Sequence, residues 1–373
     1  MLRLRALLPA AVAAAVVGGC GGSHTTAPST TSASPRVSSP VPTTTSTTSA
    51  EPSGPPQVVG TVARDLEVPW GIGFLPDGSA LVTERDSGRV LQIADRRVAT
   101  VGRIDQTHAE GESGLLGLAV SPSYAEDKRV FVYASTDDDN RVLRMTFDHG
   151  RLGTPTAILT GIPRGFIHDG GRLAFGPDGD LYVSTGETGN GALAQRTDTT
   201  AGKILRITQD GRPAPGNPDP GSPVWTLGHR NVQGLAFDDH GHLWASEFGQ
   251  DAWDELNLIE KGTNYGWPEV EGKGDLPQFR NPQVVWRTSE ASPSGLAFLD
   301  GRLWLASLRG ERLWRIDVDG RRAEHPADFF VGRYGRMRTV VVAPDGNLWV
   351  TTSNRDGRGD PAPGDDRILL VRP

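Results

Sequence analysis

The sequence predicts an all-β protein, a six-bladed β-propeller built of four-stranded antiparallel blades. Two observations carry that prediction. The 373-residue chain holds 47 Gly and 28 Pro, a surplus that demands many turns and few long helices. One pattern also recurs six times: an apolar strand opening with Gly, a tight turn built on Asp-Gly, a second apolar strand, a polar loop and a third strand.

Taken in order, the chain opens with an address. Arg3 and Arg5 precede a run from Ala6 to Val17 that is apolar except for Pro9, and Gly18-Gly19 leads into Cys20. This reads as a signal peptide over residues 1–19, too short to be a transmembrane helix. The small residues before the single cysteine resemble a bacterial lipobox, with Cys20 as the lipidated N-terminus; an ordinary secretory signal is the plainer alternative. Residues 20–56 are almost wholly Ser, Thr, Pro, Ala and Gly beyond Cys20, a composition that cannot bury enough apolar area to fold, so they read as a disordered tether.

Residues 57–373 carry the repeats. They begin at Gly71, Gly117, Gly171, Gly234, Gly295 and Thr339, and Gly in each Asp-Gly turn supplies the positive φ of a tight hairpin. Units of about 50 residues hold four short strands with their loops, which is a propeller blade. Unequal spacing fits loops on a ring better than a stacked solenoid. Val58 to Asp65, β-rich and outside the repeats, is placed to pair with the last unit and close the ring.

Composition removes several function classes. No apolar run is long enough for a polytopic membrane protein, and one cysteine excludes a disulfide framework or a thiolate metal cluster. A net charge of −7 leaves no overall positive field for a nucleic-acid partner.

In a propeller, the loop before each innermost strand and the loop between the second and third strands open on one face. The first set carries Glu112, then His168 with Asp169, then Arg230, Asn231 and Gln233, then Arg336 and Arg338. The second set carries Glu187, Gly249 through Glu255, and Arg309. Four arginines on one mouth of an acidic protein point to a polyanion bearing carboxylates or phosphates, the alternative being structural ion pairs. His168 is either a hydrogen-bonded structural group or a general base. The loop from Glu247 to Glu255 mixes carboxylates with Gly and suits either an oxygen-ligated cation such as Ca²⁺ or plain solvation.

The stretches HDGGRLAFGPDG, GHRNVQGLAF and ELNLIEKGTNYGWP, with GESGLLGLAVSP, SLRGERLWRI and YGRMRTVVVAPDG, resemble the soluble quinoprotein glucose/sorbosone dehydrogenases, and most closely their smaller aldose sugar dehydrogenase branch. The resemblance spans nearly all of residues 57–373. It implies a propeller that binds pyrroloquinoline quinone (PQQ), a tricarboxylate, with Ca²⁺ beneath the quinone oxygens. By position, His168 is then the general base toward an aldose anomeric hydroxyl and Arg230 stabilises charge on the quinone. Asn231, Gln233, Arg309, Arg336 and Arg338 bind the cofactor. Backbone carbonyls of Gly249 and Gln250 hold the cofactor Ca²⁺, and Glu255 and Tyr265 hold a structural one.

Five positions depart from the family's usual residues. Glu112 replaces a sugar-contacting Gln, Ile167 an Asp, Gln250 a Pro, Arg309 a Lys and Thr339 an Asp. The long insertions of the dimeric glucose enzymes are missing, which implies a monomer. The reading is therefore a lipid-anchored, extracytoplasmic quinoprotein that oxidises aldoses to lactones for an electron acceptor the sequence does not name. The alternatives are a non-catalytic cell-surface propeller and a Ca²⁺-assisted hydrolase of lactones or esters.

Overall fold

A computed structural model of the chain describes residues 54–373. The signal segment, Cys20 and all but the end of the tether lie outside the described residues.

The described residues form six antiparallel sheets arranged as six blades. Their innermost strands are Pro69–Phe74, Leu115–Val120, Leu173–Phe175, Val232–Phe237, Pro293–Leu299 and Met337–Val342. Each touches the innermost strand of the next blade, and Met337–Val342 returns to Pro69–Phe74. Five of the sheets have four strands; the second gains a fifth, the two-residue strand Arg151–Leu152. The last blade is completed by the N-terminal strand Gln57–Ala63, which pairs with Ile368–Arg372 so that Gln57 faces Arg372 and Ala63 faces Ile368. The expected ring closure is thus formed by hydrogen bonds between the two ends of the fold.

The repeat has two local causes. Asp77, Asp178 and Asp345 each accept the backbone N–H two residues on, and the following Gly78, Gly179 and Gly346 have φ of 85°, 79° and 79°. This geometry turns each first hairpin. The glycine that opens the innermost strand has a different reason. A Cβ on Gly117 would lie 2.2 Å from the Gly171 carbonyl oxygen, and one on Gly234 2.4 Å from that of Ser294. Neighbouring blades meet there through backbone, leaving no room for a side chain.

The core lies between blades rather than within one. Trp244, Leu256 and Trp286 of the fourth blade pack with Leu296, Leu305 and Trp314 of the fifth. At the closing seam, Phe74 meets Trp349 edge-on with centroids 4.8 Å apart. Apolar area buried this way, at roughly 25 cal/mol per Å², holds each blade to its neighbours and leaves the loops free to carry chemistry.

In the third and sixth repeats the close-approach glycine is replaced by Arg172 and Thr339. The Arg172 side chain lies over the Trp70 ring at 4.1 Å and donates to the Gln233 carbonyl at 2.7 Å and to Thr339 Oγ1 at 3.2 Å. Burial, with Arg338 nearby, pulls its pKa down to about 9. A cation thus fills the channel just under the mouth, and no carboxylate among the described residues pairs with it.

Candidate functional site

The loops before the innermost strands and those between second and third strands do open together, around a cavity of about 460 Å³. Glu112, His168, Arg230, Asn231, Gln233, Gly249, Arg309, Arg336 and Arg338 all line it, and so does Ile167. Gln250, Glu255 and Tyr265 do not.

His168 is buried at the end of a loop held from below. Asp169 turns away from the cavity and accepts from Asn140 Nδ2 at 2.8 Å, Ser113 Oγ at 2.9 Å and the Gly165 N–H at 3.0 Å. His168 itself has φ of 60°, a conformation disfavoured for residues with a side chain. Its neighbours enforce that conformation. The Thr188 N–H donates to the His168 carbonyl at 3.2 Å, and a Cβ on Gly186 would sit 1.8 Å from that oxygen, so only glycine admits the turn. The His168 N–H donates to Glu112 Oε2 at 3.0 Å.

The imidazole is paired from behind: Nδ1 lies 2.5 Å from Glu187 Oε1. Nδ1 in contact with a carboxylate carries the proton, which leaves Nε2 as an acceptor. Glu187 Oε2 is buried and has no hydrogen-bond partner.

The opposite wall is cationic. Six arginines and two carboxylates, Glu112 and Asp356, line the cavity. Arg336 Nε at 3.0 Å and Arg338 NH2 at 3.2 Å both donate to Asp356 Oδ2, so two guanidiniums share one carboxylate oxygen. Arg338 also reaches Gln233 Oε1 at 3.3 Å, and burial pulls its pKa down to about 10 against the opposing effect of Asp356. Arg309 is exposed at the rim. Arg230 lies over the Trp267 ring at 5.4 Å with NH1 3.4 Å from the Phe248 carbonyl, while its buried Nε has no partner. Burial lowers the Arg230 pKa, and Glu187 and Glu112 oppose that shift.

Glu112 ties three blades together. Besides the His168 amide it accepts Arg358 NH1 at 2.7 Å and Asn231 Nδ2 at 3.4 Å. Burial raises its carboxyl pKa, but the His168 amide and Arg358 overcome this and hold it below the usual range. Asn231 accepts the Gly170 N–H through Oδ1 at 3.0 Å, so its amide is largely engaged by protein.

These residues fit the tricarboxylate that the resemblance implies. The surplus of guanidinium over carboxylate and the unpartnered Arg230 Nε call for an anion in the cavity. Calcium has to be judged on a different donor set, because among the described residues no group of three or more acidic or histidine side chains is placed to hold a metal. Backbone carbonyls are the donors available near Gly249, whose own N–H is tied back to Asp254 Oδ1 at 2.9 Å. Further out, Glu255 is buried beside Glu247 and Asn257, and burial followed by the Glu247 charge raises its pKa to about 8. Asn257 Oδ1 is buried there without a partner. The Tyr265 hydroxyl donates to the Leu258 carbonyl and accepts the Glu260 N–H, leaving its backbone carbonyl as the ligand it has to offer.

Three charged lining residues were not singled out from the sequence: Arg85, Asp356 and Arg358. All three follow second strands, Ala80–Glu84 and Leu348–Thr352, in the same hairpin position as Glu187 and Arg309. Applying that rule to the first and last repeats would have found them.

With this geometry in view, the comparisons with known proteins are direct. The sequence profile of the glucose/sorbosone dehydrogenase family matches residues 66–370. The chain belongs to that family, in its aldose sugar dehydrogenase branch. The PQQ-bound aldose sugar dehydrogenase of Streptomyces coelicolor is 52% identical with a TM-score of 0.84, over 85% of this chain and 98% of that one. The aldose sugar dehydrogenase of Escherichia coli is 29% identical, over 78% of this chain and 89% of that protein. Quinoprotein glucose dehydrogenase B of Acinetobacter calcoaceticus is 33% identical, over 57% of this chain and 53% of that protein.

Proposed function

We propose that this quinoprotein aldose sugar dehydrogenase oxidises the anomeric carbon of an aldose to the lactone, with His168 as general base and with both PQQ and Ca²⁺ bound in the arginine-lined cavity. The observation that carries the reading is that the carboxylate-backed His168 and Arg230, whose buried Nε has no partner, line the same cavity.

A bound PQQ would supply the two-electron acceptor for the hydride that leaves the anomeric carbon. The chain's own residues do the rest. His168 Nε2 takes the proton of the anomeric hydroxyl, and Glu187 stabilises the imidazolium so formed while holding Nδ1 protonated. Arg230 places positive charge where negative charge develops, a preorganised contribution worth several kcal/mol in such sites. Arg336, Arg338, Arg309 and Gln233 bind the carboxylates and carbonyls of the anion. Asn231 steadies the Gly170 turn behind the base as well as meeting the cofactor. The Gly249 and Gln250 carbonyls would hold Ca²⁺, and Glu255 with the Tyr265 carbonyl would hold a second ion.

The sugar enters over Glu112, whose carboxylate stands at the mouth. The lipobox-like approach to Cys20 supports an extracytoplasmic enzyme tethered by lipid through residues 20–56. A monomer follows from the missing insertions. The test is reduction of an artificial dye across a panel of aldoses by protein loaded with PQQ and Ca²⁺. Quinone-dependent turnover that His168→Ala abolishes is expected; turnover unchanged in that variant would refute the assigned base.

A further inference from the structure

One carboxylate outside the sequence-derived site organises the proposed calcium edge. Glu271 Oε1 accepts the backbone N–H groups of Gln250, Asp251, Ala252 and Trp253 at 2.7, 2.9, 3.0 and 3.1 Å. Four donors on a single oxygen make an anion nest inverted, with the protein's own carboxylate as the anion. These bonds overcome burial and keep the Glu271 carboxyl below its ordinary range.

Peptide geometry gives the nest a consequence on its other side. In a planar trans peptide the C=O of one residue points opposite to the N–H of the next. With the N–H groups of Gln250 and Asp251 aimed at Glu271, the carbonyls of Gly249 and Gln250 are turned away from it. The preceding peptide shows the same arrangement: the Gly249 N–H goes to Asp254 Oδ1, and the Phe248 carbonyl accepts Arg230 NH1 from the cavity wall. There is no slack in the loop. A Cβ on Gly249 would lie 1.9 Å from the Trp253 carbonyl oxygen and 2.7 Å from Glu271 Oε1.

We infer that Glu271 is the positioning residue of the calcium site: by gathering the amides of residues 250–253 it presents the Gly249 and Gln250 carbonyls as a preformed pair of ligands. The inference rests on the PQQ and Ca²⁺ reading above. The neighbouring Gly272 N–H donates to Glu255 Oε1 at 2.7 Å, so the same turn of chain steadies the second calcium position as well. Preorganisation matters here because a loop free to rotate its peptides would have to be ordered by the ion itself.

The experiment uses the full chain and reads Ca²⁺ affinity rather than turnover. Ca²⁺ is titrated into protein with PQQ, quinone binding is followed by fluorescence, and hydrogen exchange is measured at residues 250–253. Glu271→Ala is expected to raise the Ca²⁺ concentration for half-maximal binding tenfold or more, to lose amide protection in that loop and to keep the wild-type melting temperature within a few degrees. Glu271→Gln retains an acceptor oxygen and is expected to recover most of the affinity; it also serves if the alanine variant does not fold. Wild-type Ca²⁺ half-saturation in both variants would overturn the positioning role alone. Quinone binding by the wild type without any Ca²⁺ dependence would overturn the calcium reading, and this inference with it.

Discussion

Glu187 Oε1 sits 2.5 Å from His168 Nδ1, joining two loops nineteen residues apart in sequence across the third blade. The pair orients a buried imidazole held at φ 60° and leaves Nε2 as its acceptor. A glutamine at position 187 can present its NH₂ to Nδ1 and so select the wrong tautomer. Glu187→Gln is therefore expected to lower kcat by about 10²–10⁴-fold, in the range seen when a base or its orienting partner is lost. Steady-state dye reduction checks this, with quinone titration showing cofactor affinity close to wild type.

The role proposed for Arg230 is on charge that develops during reaction rather than on folding. Its Nε is buried without a partner. Arg230→Ala should reduce kcat by about 10²–10³-fold, the scale for losing one preorganised donor to a developing oxyanion. Its melting temperature without cofactor should be unchanged or raised, since an incompletely bonded buried cation is removed. Pre-steady-state reduction of bound quinone and a thermal melt read the two effects separately.

The Glu112–Arg358 ion pair spans the mouth of the cavity, from the loop before the second blade to the sixth. Arg358 touches neither His168 nor the proposed calcium loop. Arg358→Ala is expected to shift KM among aldoses by about tenfold, the scale of a single pocket contact, while quinone affinity and kcat for the best substrate change little. KM values across a sugar panel decide it.

Glu255 is expected to make stability depend on pH. Burial and the neighbouring Glu247 raise its folded pKa to about 8, so the folded protein holds this proton more tightly than the unfolded chain does. The resulting stability is complete below the ordinary glutamate range and is lost as pH rises through about 8. Melting temperature in the presence of a chelator should fall across that window. Calcium bound at Glu255 as proposed would compensate the same charge, so its stabilising effect should be largest at the upper end; a chelated protein with a flat melting profile from pH 5 to 8.5 would contradict this.

Much of this molecule is legible before any coordinates. Asp77-Gly78 and its repeats announce hairpins, Gly117 and Gly234 open repeats, and Val58 lies in a strand that closes the ring. The mouth residues follow because a radial repeat sends equivalent loops to one face. Partnerships are another matter. Nothing in the sequence joins His168 to Glu187, or Arg358 to Glu112 across 246 residues. Glu271 lies in an irregular loop after the fourth blade's third strand, outside any repeat, and its role comes from four backbone amides that no residue pattern records. Tyr265 shows the opposite lesson, since its recognisable hydroxyl is spent inside its own hairpin.

We propose that the arginine-lined cavity, with its carboxylate-backed histidine, oxidises aldoses through a bound quinone. Reconstituting the purified protein with PQQ and Ca²⁺ and following dye reduction with aldoses, beside His168→Ala, tests it most directly. Tight quinone binding by both proteins and turnover only by the wild type are expected. No quinone binding by a folded wild type, or equal turnover by the two, would contradict it.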